Sequence, residues 1–140
     1  MARPKERKQG EAALGEHGHR IVTALEGRGA TSRARAAAAG MTDCGKLDAA
    51  IAEADLVLSI LPPASAAAFA GEAAAAMRRT GKRPVFADCN AVAPATVAAI
   101  AATIADAGAG FIDAGIVGPP PGQGAPPRFY VSGPDARAFA

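Results

Sequence analysis

GEHGHRIVTALEGRG, residues Gly15–Gly29, is the stretch on which the architecture turns. Its centre, Arg20–Leu25, carries the branched and apolar residues of a strand. Glu26-Gly27-Arg28-Gly29 then reads as a tight loop. Thr31–Ala39 follows as an alanine-rich helix, and Gly40 stands where a left-handed closing residue belongs. In a doubly wound α/β unit a strand followed by such a loop comes second, so an earlier strand is expected. None is legible before Gly15.

Downstream, the same alternation continues. Strands are expected at Leu56–Leu61, Pro84–Asp88, Gly110–Asp113 and Arg128–Val131, with a weak one at Met41–Asp43. Helices are expected at Leu47–Glu53, Ser65–Thr80 and Pro94–Ala107. Gly81 closes the second of these, and Pro94 sits where a first helical turn tolerates proline. Strands separated by helices pair in parallel through crossovers, so the fold class is α/β, a doubly wound and mainly parallel sheet. LVLSIL and VFA are apolar at successive positions, as strands covered on both faces must be. GPPPGQGAPP reads as a loop between strands. Residues 1–10, where basic groups crowd, are expected to be a disordered tip, and residues 11–140 one partial domain.

With 140 residues the chain can bury a real core, about 70% of its unfolded surface by the usual scaling. A net charge of +2, without a basic stripe interleaved with aromatics, gives no reason to expect nucleic acid. Every apolar run stops well short of the about 18 residues a membrane helix needs, so no membrane partner is expected. Two cysteines make no disulfide framework, and a reducing cytoplasm is the default.

The residues just past the second strand of such a sheet face the adenosine ribose of a dinucleotide. Glu26 is an acid suited to a ribose diol. Arg28, Thr31, Ser32 and Arg33 supply cations, hydroxyls and a helix start suited to a phosphate. The cations favour NADP, and Glu26 keeps NAD open; the alternative is that Thr31 merely caps a helix and the arginines are solvated. ADLVLSILPP, Ala54–Pro63, delivers Leu61, Pro62 and Pro63 as a stiff loop at the carboxyl edge of the sheet, where ligands bind in open α/β folds.

Together, EGR, LSILPP, DCNAVAP, DAGIVGPPP and FYVSGPDARAF form an ordered set that resembles the NADP-binding, Rossmann-like domain of the 6-phosphogluconate dehydrogenase-like and 3-hydroxyacid dehydrogenase superfamily, from about Glu11 to Phe139. The resemblance implies that Leu61-Pro62-Pro63 contacts the nicotinamide half of the cofactor. Asp88-Cys89-Asn90-Ala91 stands at the family's aspartate–x–serine–threonine loop; Asn90 keeps a polar group, and Ala91 lacks the hydroxyl. Asp113–Pro120 stands at a segment that normally reads DAPVSGG, which makes Gly115, Val117 and Gly118 the implied substrate contacts. Val117 replaces a serine and Pro119 a glycine, so the implied substrate of the full-length relative is a small alcohol or imine rather than one fixed hydroxy acid.

Two family features are not found. The glycine loop G-x-G-x-x-G after an apolar first strand has no counterpart in MARPKERKQGEAAL, and neither Lys46 nor Lys82 matches the family's catalytic lysine. The sheet is therefore expected to lack its usual first strand and to leave a gap between the strands of Ile21 and Val57. The chain reads as a fragment cut at both ends or started too late, inactive alone. The alternative is a non-catalytic remnant or interaction module, paired as a homo-oligomer or with another subunit through an open sheet edge. Among single residues, Cys89 is expected to be a buried structural thiol. His17 and His19 form a solvated turn rather than a metal site. Asp88 and Asp113 are expected to cap turns or bond backbone N–H groups, and Asn90 is the best candidate for a polar contact with nicotinamide or substrate.

Overall fold

The computed structural model describes residues 18–119 and 124–139; expectations that fall on residues 1–17 and 120–123, including His17, lie outside them. The order is β1 (Val22–Thr23), α1 (Ala30–Ala38), β2 (Thr42–Asp43), α2 (Leu47–Glu53) and β3 (Leu56–Ser59). A 3₁₀ turn (Pro63–Ser65), α3 (Ala66–Thr80), β4 (Val85–Asp88) and α4 (Pro94–Asp106) follow. β5 (Phe111–Val117), β6 (Arg128–Ser132) and a last 3₁₀ turn (Ala136–Phe139) complete it. β3, β4 and β5 pair in parallel, each joined to the next by a helix, because a parallel pair cannot be closed by a hairpin. β6 returns antiparallel along β5, so the sheet is mainly parallel with one reversed edge.

The sheet is broken where the sequence leads one to expect it. β1 and β2 form a two-stranded parallel sheet, and β3-β4-β5-β6 a four-stranded one; among the described residues no strand joins them. Several boundaries differ from expectation for identifiable reasons. β1 spans two residues rather than six; among the described residues it is paired along one edge, with a partner confined between Gly40 and Gly45. β3 stops at Ser59 because the Leu61 N–H is taken by a side chain. β5 continues to Val117 because β6 goes on pairing with it beyond the end of β4.

α3 builds the centre. Ala66, Ala70, Ala73, Ala74 and Met77 recur at helical spacing and are buried. Alanine lets the helix sit close to its neighbours but contributes little area itself, so packing rests on a few large side chains: Phe86, Ile51, Met77, Ile100 and Ile104, all 2% exposed or less. The Phe69 and Phe86 rings meet at 6.0 Å. Gly81 ends α3 at φ 74°, its N–H on the Met77 carbonyl at 3.0 Å, a conformation a side chain would strain. Gly110 is needed for a different reason. The Asp135 carboxylate accepts the Phe111 N–H at 3.1 Å, and a Cβ on Gly110 would lie 2.8 Å from the Asp135 carboxyl carbon. No helix among the described residues is long and apolar enough to cross a membrane.

Because so few bulky residues fill this core, Phe86→Ala should cost about 3–5 kcal/mol, the upper range for such a truncation. Urea unfolding measures it; a loss under about 1 kcal/mol, ordinary for a surface change, would show that Phe86 does not anchor the sheet.

Candidate functional site

The carboxyl ends of β3, β4 and β5 gather at one rim, and the residue that organises it is Asn90. Its Oδ1 accepts the Leu61 N–H at 2.6 Å. Its Nδ2 donates to Ser59 Oγ at 3.0 Å and to Asp88 Oδ1 at 2.5 Å. One amide thus fastens the loop after β3 to the loop after β4, and both its N–H donors are used inside the chain. Asn90 is 8% exposed. Sequence reasoning singled out the residue but missed this tie.

Strand register adds a row of polar groups. Ser59 lies opposite Asp88, Asp88 opposite Asp113, and Asp113 opposite Ser132. Registered residues share a face of a sheet, so four polar side chains cross it in line. The signal was present in the sequence: LVLS, VFAD, FID and FYVS each end an apolar run on a polar residue. Asp88 is fully buried, and its Oδ2 has no hydrogen-bond partner among the described residues. Burial pushes its carboxyl above the usual 3.8, against the Asn90 and Ser59 hydrogen bonds that lower it; the nearby Asp113 charge adds to the rise. The expectation that Asp88 caps a turn or bonds backbone N–H groups describes part of its role, since it also accepts from the Asn90 backbone. Cys89, half-buried beside these acids, has its thiol pushed up to about 11 by burial and by the Asp88 and Asp113 charges. It stays protonated at neutral pH, as a structural thiol should.

Beside this row is a cleft of about 490 Å³, lined by Asn90, Pro94, Asp113, Gly115, Tyr130 and Ser132 among others. Leu61 meets it indirectly, through its bond to Asn90. Val117, 60% exposed, and Gly118 stand farther along the β5–β6 hairpin and do not line it. Pro62 is exposed, and Pro63 opens the 3₁₀ turn.

The residues after β1 form a separate group. Arg33 is committed internally. It bonds the Leu25 carbonyl at 2.9 Å and the Arg28 carbonyl at 3.2 Å, and it pairs with Asp43 at 3.2 Å. It therefore braces the loop. The exposed Arg28 side chain has no partner among the described residues. α1 begins one residue earlier than expected, with Gly29 as its cap and no side chain closing the first turn. Thr31 and Ser32 lie within that turn, so Thr31 is not the cap. Glu26 instead lines a second cleft of about 430 Å³ with Lys46, Asp48, Glu72 and Arg79. The structure thus brings Leu61, Asn90 and Gly115 together, groups Arg28, Thr31 and Ser32 apart from them, and divides Glu26 from Arg28.

A broken but mainly parallel sheet, helices between its strands and loops gathered at its carboxyl rim define a Rossmann-like dinucleotide-binding domain. The chain belongs to the family of the NAD binding domain of 6-phosphogluconate dehydrogenase, whose model matches residues 12–139. Among solved structures it is similar to a conserved hypothetical protein from Sinorhizobium meliloti 1021, at TM-score 0.78 and 26% identity over 99% of this chain and 46% of that one. It is also similar to 3-hydroxyisobutyrate dehydrogenase of Mycobacterium tuberculosis, determined with L-serine, at TM-score 0.73 and 25% identity over 94% and 44%. An imine reductase of Streptomyces aurantiacus shares the fold at TM-score 0.70 and 22% identity over 98% and 47%. The chain spans less than half the length of each of these structures. No curated protein matches it in sequence.

The raised Asp88 carboxyl sets a pH dependence. A carboxyl whose folded value lies above its unfolded one stabilises the fold fully below the unfolded value, and that stability is lost as pH rises through the folded value. Asp88→Asn should remove this dependence while still accepting the Asn90 amide. In urea unfolding across acidic to neutral pH, the variant's stability relative to the parent should climb as pH rises above 3.8 and then level off. A difference constant with pH would mean that Asp88 titrates alike in both states.

Proposed function

We propose that this chain binds NADP along its carboxyl rim and serves an oxidoreductase that passes hydride between nicotinamide and an alcohol or imine carbon of a small molecule. The observation that carries the reading is the 2.6 Å bond from the Leu61 N–H to Asn90 Oδ1, which joins two rim loops into one ledge beside the 490 Å³ cleft. Ligands of open α/β sheets lie in this position.

The donor set suits a phosphorylated dinucleotide. Arg28 offers an exposed guanidinium with no partner among the described residues, and Thr31 and Ser32 lie in an uncapped first turn where N–H groups favour an anion. Glu26, in the other cleft, leaves the phosphate position to the cation. In this reading Arg28, Thr31 and Ser32 hold the 2′-phosphate, and Leu61, Pro62, Pro63 and Asn90 support the nicotinamide half. Bound nicotinamide supplies the hydride chemistry. Gly115 gives the substrate room at the cleft floor, and Val117 and Gly118 border its approach. Tyr130 and Ser132 present hydroxyls, and Asp113 a carboxylate, to a substrate hydroxyl or nitrogen. Among the described residues no lysine lines this cleft, and in this reading the 140-residue chain binds nucleotide without turning it over.

Calorimetry tests the binding. Arg28→Ala should weaken NADP by about tenfold or more, as loss of charge-assisted hydrogen bonds implies, and leave NAD nearly unchanged. Equal losses for both, or no binding to the parent chain, would remove Arg28 from this role. Separately, NADPH absorbance should stay constant when the chain is mixed with hydroxy- and imino-compounds; measurable oxidation would overturn the expectation of no turnover.

A further inference from the structure

Sheet alternation puts Asp113, Gly115, Tyr130 and Ser132 on one face of the β5–β6 hairpin, with Asp113 opposite Ser132 and Gly115 opposite Tyr130. All four line the 490 Å³ cleft, and Pro94 and Val97 of α4 line it with them. A Cβ built on Gly115 meets nothing within 4 Å, so the space between Asp113 and Tyr130 is open.

The electrostatics of this space are one-sided. Asp113 is half-buried, and its carboxylate makes no hydrogen bond or ion pair among the described residues. Among the described lining residues there is no lysine, arginine or histidine. The group beside Asp113 in register, Asp88, is another acid, with one oxygen unpaired among the described residues. Donors are scarce as well. Both Asn90 side-chain N–H groups are spent on Ser59 and Asp88. At the start of α4, Pro94 has no N–H, and the Thr96 and Val97 N–H groups both go to the Ala93 carbonyl. What remains are the hydroxyls of Tyr130 and Ser132, which accept as readily as they donate, and the exposed Tyr130 ring.

We propose that this cleft selects a small organic cation, a protonated amine or an iminium, and rejects carboxylates. Asp113 supplies the counter-charge, Tyr130 offers its ring face, Ser132 accepts an N–H, and the apolar side chains of Val92, Pro94 and Val97 cover the hydrocarbon part. A carboxylate of the same size meets the Asp113 charge with no cation to offset it. The proposal rests on the reading of the rim as a substrate cleft, and it narrows the substrate there from alcohol or imine to a nitrogen compound.

The test uses three probes that share one ring: cyclohexylamine, a cation at neutral pH, cyclohexanol and cyclohexanecarboxylate. Each is titrated into the 140-residue chain, with and without NADP, and followed by backbone amide chemical shifts. Cyclohexylamine should move the Asp113, Gly115 and Ser132 amides saturably. It should bind more tightly than cyclohexanol by about tenfold or more, as a charge-assisted hydrogen bond implies, with the carboxylate weakest. Added salt should narrow the preference. This ranking is read on the parent chain and decides the matter if a variant fails to fold. Asp113→Asn, of the same shape, should bring the amine down to the alcohol, and Gly115→Val should weaken all three alike by filling the space. Equal binding of the three, no saturable binding of any, or amine shifts confined to the second cleft around Glu26 and Glu72 would overturn the proposal. So would an unchanged preference in a folded Asp113→Asn chain. Calorimetry with NADP keeps the two readings apart. Nucleotide binding without an amine preference overturns this inference alone; an amine preference without nucleotide binding leaves the cation site standing and overturns the cofactor reading.

Discussion

The rim depends on the side-chain amide of Asn90. A hydroxyl there could accept from Leu61 and donate once; an amide accepts from Leu61 and donates twice, to Ser59 and Asp88. Those partners come from the end of β3, the end of β4 and the loop beyond β3, so one buried group sets three backbone positions relative to one another. Buried polar networks stabilise only when their members are satisfied. Here Asp88 Oδ2 is the exception, and the raised Asp88 carboxyl is the electrostatic consequence. The rim thus combines a side-chain tie between two loops with one buried carboxylate oxygen left unpaired among the described residues.

Beneath the rim, the alanine face of α3 limits what the core can support. Ala70, Ala73, Ala74 and Ala76 are fully buried, and each contributes little apolar area. The exposed ion pair of Arg79 with Asp48, both oxygens engaged at 2.6 and 2.8 Å, joins the end of α3 to the start of α2 but adds little stability at the surface. Stability thus concentrates in Phe86, Ile51, Met77 and the α4 isoleucines, all on the α2–α4 face. The opposite face has a smaller buried cluster of Ala87, Ile112 and Ala114, with Phe139 packed against it. The uneven covering of β3 follows from this: its residues are apolar on both faces, and its neighbours bury only part of them.

Most of the fold was legible because it rests on local rules. Apolar runs, Gly40, Gly81 and Pro94 placed the strands and helices within a few residues, and the ordered motifs identified the family. Among the described residues the two sheets part beside Val57, where the sequence shows no further strand. What escaped was tertiary. The Asn90 tie depends on how far Leu61 turns after β3. The alignment of Ser59, Asp88, Asp113 and Ser132 depends on register, which no single segment encodes. The separation of Glu26, which lines the second cleft, from Arg28, which does not, lies across the turn at Gly27, whose φ is 74°.

Arg33 shows why neighbouring arginines should not be counted as equivalents. The sequence offers Arg28 and Arg33 as similar cations near a helix start, yet Arg33 spends its guanidinium on Leu25, Arg28 and Asp43. Two of those bonds end on carbonyls of the loop itself, and the Asp43 carboxylate also accepts the Leu25 and Gly45 N–H groups at 3.1 and 2.8 Å. The backbone that carries Arg28 is thus held from both sides before any anion arrives. Binding there would require ordering of one side chain rather than a whole loop, and the entropy cost falls accordingly. Fixed support beneath a single exposed cation is what the phosphate contact proposed for Arg28 would require, and the brace at Arg33 supplies it without engaging that side chain.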